Sequence, residues 1–113
     1  MNLLTDHQTQ IMFNHRILIS VTDSVTLSKN LHKFLVACEF KILNFIEHHF
    51  EPQGYTCLWL LGESHLAVHT FPEQQQSYVE LSGCNRTKTD QFMKLLKLWA
   101  EKEEIDWKLF ENE

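Results

Sequence analysis

Basic charge is scarce in this chain. Ten Lys and Arg residues are scattered against fifteen Asp and Glu, for a formal charge of −5 at pH 7. Gripping a phosphate backbone takes clustered cations, so nucleic acid is excluded as the main partner. Long apolar runs are missing as well. No run is longer than Cys57-Leu58-Trp59-Leu60-Leu61, which falls far short of the roughly 20 residues a membrane-spanning helix needs, so a soluble protein with no membrane partner is expected. Cysteine is sparse and odd in number: Cys38, Cys57 and Cys84 lack C-x-x-C spacing, and no charged-then-apolar leader precedes Thr5 and Asp6. Both features point to a reducing cytoplasm. Neither an internal repeat nor a linker interrupts the chain, and the triplet Gln74 to Gln76 is too short to count as low complexity.

What remains is an ordinary globular composition: 113 residues, 43% hydrophobic, 12% aromatic and 22% charged. That is enough apolar surface for one domain, 1–113, and too little chain for two. Residues 1–10 are polar and without period. The first strand is expected to begin near Met12, with its core at Arg16-Ile17-Leu18-Ile19-Ser20-Val21. Leu27, Leu31, Phe34, Leu35 and Cys38 recur at helical spacing behind Asp23 and Ser24, predicting an amphipathic helix over 24–39. Residues 41–50 suit either a helix or a buried strand, and Pro52 and Gly54 close that run. Tyr55 to Leu61 and Ser64 to Phe71 read as strands around a Gly62-Glu63 turn, and Ser77 to Gly83 as another. A second helix, capped by Thr89 or Asp90, carries Phe92, Leu95, Leu96 and Trp99, and Ile105, Trp107 and Leu109 alternate as an edge strand. The order implies an α+β fold: a two-layer sandwich of an antiparallel sheet with two helices on one face.

Chemistry concentrates in Gly62-Glu63-Ser64-His65-Leu66-Ala67-Val68-His69-Thr70-Phe71-Pro72-Glu73, followed by Cys84. A hydroxyl, an imidazole and a thiol in one small domain can serve as nucleophile, base and proton donor, although such trios also arise by chance. Ser64 and His69 are five apart, which on a flat strand puts their side chains on opposite faces. Their meeting would need Ser64 to belong to the turn or a bulge to re-aim it. His65 and His69 could be read as a zinc pair, but four-residue spacing converges on a helix and this segment reads as strand, so no metal is expected. Cys38 and Cys57 read as small core fillers, Cys84 as accessible, His48 and His49 as a solvated strand end, and Phe50 as core or contact residue.

Glu63-Ser64-His65 followed by His69-Thr70-Phe71-Pro72-Glu73 resembles the signature of the prokaryotic-type, pyruvoyl-dependent S-adenosylmethionine decarboxylases. His49-Phe50-x-Pro52-x-Gly54 and the placement of Cys84 add to the resemblance, which covers about residues 40–85. It implies that Ser64 attacks the carbonyl of Glu63 and that the chain cuts itself there. The cut leaves a pyruvoyl group made from Ser64 as the cofactor, with no metal. On the same grounds His69 is the base in processing, assisted by Thr56. Cys84 returns the proton after carbon dioxide leaves a Schiff base of substrate and pyruvoyl, Phe50 stacks on adenine and Glu73 accepts hydrogen bonds from the ribose. Phe71 and His65 complete the implied substrate site. The expected substrate is S-adenosylmethionine, the product an aminopropyl donor for spermidine synthesis, and the assembly a homodimer. Departures include Phe71 where the family usually has tryptophan, Gln74-Gln75-Gln76-Ser77-Tyr78 in place of its Tyr-Gly-Tyr region, and Gly83-Cys84-Asn85 in place of Thr-Cys-Gly. They keep open a pyruvoyl decarboxylase of arginine or ornithine, or a non-processing regulatory homologue.

Overall fold

Alternation decides the central strands. In β3 (Tyr55–Leu61) and β4 (Ser64–Phe71) every second residue is buried, the pattern of a sheet with one covered face. The computed structural model describes residues 11–110, so the polar stretch 1–10 lies outside the described residues. β1 is Phe13–Ile19, α1 Ser24–Ala37, β2 Ile42–His49, β5 Gln76–Gly83, α2 Arg86–Lys102 and β6 Trp107–Leu109. The strands form one antiparallel sheet in the order β2-β3-β4-β5-β1-β6. Both helices lie on the same face of it. Trp59 of β3, fully buried, donates its indole N–H to Nδ1 of His32 on α1 at 3.2 Å. Gly83 of β5 meets Thr89 of α2, and the register puts Trp59 and Gly83 on one side.

Between the layers Ile17, Leu27, Leu31, Leu35, Trp59, Leu66, Leu81, Phe92 and Leu96 are fully buried. Each such side chain contributes about 1.5–3 kcal/mol relative to exposure. Phe34 ties the helices together, meeting Phe92 edge-on at 6.3 Å and Trp99 at 5.8 Å between ring centroids. The α+β two-layer sandwich expected from element order is the fold observed.

Element ends depart from expectation for identifiable reasons. β1 stops at Ile19, because Ser20 turns to pair with Asp106, and the Val21 carbonyl accepts instead from the Ser77 hydroxyl. α1 stops at Ala37, followed by Cys38 as its cap and Glu39 in the left-handed region at φ 63°. The ambiguous run 41–50 is the edge strand β2, exposed along most of its length. α2 begins at Arg86 under an Asn85 cap and not at Thr89 or Asp90. Asn85 accepts from the Lys88 amide, while Thr89 is fully buried in the first turn. Of the glutamine triplet, Gln74 ends a single 3-10 turn, Gln75 is left-handed and Gln76 opens β5.

Candidate active site

The Gly62-Glu63 turn joins β3 to β4 by the shortest hairpin connection, Leu61 pairing directly with Ser64. Closing it puts Glu63 in the left-handed region at φ 58°, a conformation that costs a residue with a Cβ about 1–2 kcal/mol. The strained residue therefore immediately precedes Ser64. Ser64 is buried at the start of β4 and pairs across the sheet with Gly83. A Cβ on Gly83 would lie 3.0 Å from the Ser64 Oγ and 2.7 Å from a methyl of Thr89. Only glycine leaves room there for the serine side chain, so the Gly83 position forms a cradle around it. Next along the chain, the exposed Cys84 thiol donates to Oε1 of Glu63 at 3.2 Å. That hydrogen bond, which favours S–H over S⁻, is the main reason its pKa is raised, and Lys88 opposes it more weakly. The thiol is thus held protonated beside the Glu63–Ser64 bond.

A second group of residues lies towards the other end of β4, with Thr56 and His69 on the opposite, uncovered face. Thr56 and His69 are direct cross-strand partners, with Oγ1 and Nδ1 2.9 Å apart. A cavity of about 310 Å³ opens beside them, lined among others by Ile46, His48, Leu58 and Ala67. Phe50, half exposed, sits at the end of β2 with its ring 4.5 Å from that of His48. Glu73 accepts a long 3.4 Å hydrogen bond from Gln53 in the neighbouring loop. Phe71 is exposed at the far end of β4. His65 shares the open face, between Leu60 and Ser82.

Ser64 and His69 do not meet within one chain. The ladder between β3, β4 and β5 runs unbroken, so neither a bulge nor the turn re-aims Ser64. Its side chain faces the helices while that of His69 faces away, and five residues of strand separate them by about 17 Å. His65 and His69 share a face but stand about 13 Å apart along the strand, too far to grip one metal ion. The residues named from the sequence thus fall into two sets, Glu63, Ser64, Cys84 and, on the open face, His65 at one end of β4, and Thr56, His69, Phe50, Phe71 and Glu73 towards the other. Three contacts were missed: Gly83 cradling Ser64, Glu63 holding Cys84, and Tyr78 beside His69. The first and the last had a readable signal, since pairing β4 with β5 across the Pro72 turn puts residue 83 opposite residue 64 and residue 78 opposite residue 69.

Cys38 and Cys57 are buried as expected, and burial pushes the Cys57 thiol up to about 11. No helix among the described residues is long and apolar enough to cross a membrane.

Residues 19–111 match the family model of S-adenosylmethionine decarboxylase. Among similar proteins is an S-adenosylmethionine decarboxylase proenzyme of Prochlorococcus marinus (strain MIT 9313), 47% identical over 57 residues, which are 50% of this chain and 46% of that one. A proenzyme of the same name from Brevibacillus brevis is 36% identical over 67 residues, 59% of this chain and 50% of its own. The chain thus spans about half the length of these curated relatives. The crystal structure of the adenosylmethionine decarboxylase from Aquifex aeolicus VF5 superposes with a TM-score of 0.66 at 19% identity, covering 91% of this chain and 92% of that one, a likeness of fold. With a family model matched over most of its length and the Glu63-Ser64 and His69 segments inside the match, the chain belongs to the S-adenosylmethionine decarboxylase family.

Proposed function

We propose that this chain is a self-processing, pyruvoyl-dependent decarboxylase that acts on S-adenosylmethionine and supplies the aminopropyl donor for spermidine synthesis. The observation that carries the reading is the Glu63–Ser64 bond itself, with a left-handed residue before it, a cradled serine after it and a protonated thiol beside it.

In processing, the Ser64 Oγ adds to the Glu63 carbonyl carbon, the C–N bond breaks and an ester replaces the amide. Removal of the Ser64 α-proton by a base expels the Glu63 carboxylate, and the dehydroalanine left behind takes up water and loses ammonia to become the pyruvoyl group. Strain at Glu63 favours the first step, because the ester joins Glu63 to residue 64 through the longer Oγ–Cβ link and lets the left-handed backbone relax. His69 is the base. For that role its Nδ1–H donates to Thr56, which leaves Nε2 with a free lone pair.

The pyruvoyl group supplies an electron sink for loss of the substrate carboxylate, and the open side of Gly83 suits a flat carbonyl group at residue 64. Cys84, kept as a thiol by Glu63, returns a proton to the substrate α-carbon. Phe50 offers a half-exposed ring for adenine and Glu73 a carboxylate for the ribose hydroxyls. The unpaired thiols suit a reducing cytoplasm.

Because Ser64 and His69 lie about 17 Å apart along one strand, the reading also requires a homodimer in which each site combines Ser64 of one copy with His69 of the other. The exposed Ile46, Leu60 and Phe71 on the uncovered sheet face support a second copy as its cover.

Intact-mass measurement on purified protein tests processing. The expected result is two fragments, 1–63 and a pyruvoyl-started 64–113, with Ser64→Ala uncut and Cys84→Ala cut but slow in turnover. Carbon dioxide should be released from S-adenosylmethionine well ahead of arginine or ornithine. A single full-length species that persists on long incubation would overturn the proposal.

A further inference from the structure

Around His69 lies a set of side chains for which the proposed chemistry has no use. Directly opposite it on β5 is Tyr78. The two rings are near parallel, inclined by 28° with centroids 6.3 Å apart. Tyr78 is itself held on several sides. Its hydroxyl donates to Oε1 of Glu80 at 2.7 Å, the ring of Phe110 meets it edge-on at 5.5 Å, and Arg16 reaches its hydroxyl while lying over the same Phe110 ring at 4.6 Å. The groups facing His69 come from three strands: His48 of β2 and Thr56 of β3 beside the cavity, and Tyr78 of β5.

We propose that Tyr78 is a positioning residue for His69, its tethered ring fixing the imidazole plane so that Nδ1 stays on Thr56 and Nε2 points out of the sheet. The physical case is one of degrees of freedom. An exposed histidine on an open sheet face rotates freely about χ2, with two broad wells. One hydrogen bond to Thr56 constrains the ring edge but not its tilt. A ring stacked against one face removes the tilt, and the Glu80 bond with the Phe110 contact keeps that ring from swinging away. This inference rests on the reading of His69 as the processing base, and its test separates the two.

In the uncut Ser64→Ala protein, the ¹⁵N signals of His69 report which ring nitrogen carries the proton. The expected result is one dominant Nδ1–H tautomer, which becomes a mixture in Tyr78→Ala and stays dominant in Tyr78→Phe, where the ring is kept. In the cleavable protein, Tyr78→Ala should self-process about tenfold more slowly, and Tyr78→Phe within about threefold of the parent, in line with one aromatic contact. Tyr78→Leu replaces Tyr78→Ala if the smaller residue unfolds the strand. Unchanged His69 signals on loss of the ring would overturn the positioning role, whatever the cleavage rate. Normal cleavage by His69→Asn would overturn the base reading instead, and would leave the tautomer result to judge Tyr78 alone.

Discussion

Gly83 shows how much one missing atom controls. Its hydrogen faces both the Ser64 Oγ and the Thr89 methyl, and an added Cβ would come within 3.0 and 2.7 Å of them. Thr89 is fully buried in α2 and cannot yield by swinging into solvent. Gly83→Ala is therefore expected to lose about 1–3 kcal/mol of stability by overpacking and to slow self-cleavage by displacing the serine. Urea denaturation and intact mass over time check both. In the Ser64→Ala background the Thr89 clash remains, so most of the stability loss should persist there. His15 supplies a residue-scale pH dependence. Burial pushes its pKa down, only partly offset by Asp90, whose Oδ1 stands 3.5 Å from Nε2. A base with a folded-state pKa below its unfolded value of about 6.5 binds fewer protons when folded, so stability rises with pH across that interval. Stability should fall as pH drops through 6.5. The fall should be shallower in His15→Gln and deeper in Asp90→Asn, as read from thermal melts between pH 7.5 and 5.5.

At the scale of elements, the start of α2 decides where Cys84 sits. The Asn85 side chain caps the helix through the Lys88 amide, and the exposed Cys84 thiol belongs to the residue just before that cap. Asn85→Ala should cost about 1 kcal/mol of stability, whereas Asn85→Asp should keep most of it. Thermal denaturation of the three proteins distinguishes a lost cap from a lost contact elsewhere. The same helix start was misread from the sequence because Arg86, Thr87 and Lys88 carry no apolar period. The stripe announces a helix only from Phe92 onward, and the first turn is held by the cap and the buried Thr89. β2 was unreadable for the opposite reason. Its apolar residues Ile42, Leu43, Phe45 and Ile46 follow neither a strict two-residue nor a helical period, because an edge strand with an irregularity at Ile42/Asn44 exposes both faces in part. By contrast β3, β4 and the core stripe of α1 were legible, since burial on one face imposes a period that the sequence must carry.

Across the whole molecule, legibility stopped at the level of the single chain. The motif at Glu63, Ser64, His69 and Cys84 named candidate site residues, but a periodicity argument already put Ser64 and His69 on opposite faces, and the observed ladder keeps them there. No local rearrangement closes about 17 Å of strand, whereas in the proposed dimer each copy would lend its His69 end to the other's Ser64 end. The uncovered face has the composition for such a partner, with Ile46 and Leu60 at least half exposed on a sheet whose other side is filled by helices. This arrangement predicts complementation between dead variants. Ser64→Ala lacks the nucleophile and His69→Asn lacks the base, so each alone should remain full length. In a mixed dimer one of the two sites joins the intact Ser64 of the His69→Asn chain to the intact His69 of the Ser64→Ala chain, and the other site has neither. Coexpressing the two variants at equal levels with different tags and measuring intact masses should therefore show cleavage of the His69→Asn chain only, about a quarter of the total protein if the copies pair at random. If neither chain is cut in the mixture while the parent protein processes fully, the site is contained in one chain, and the folded hairpin must open to bring its two ends together.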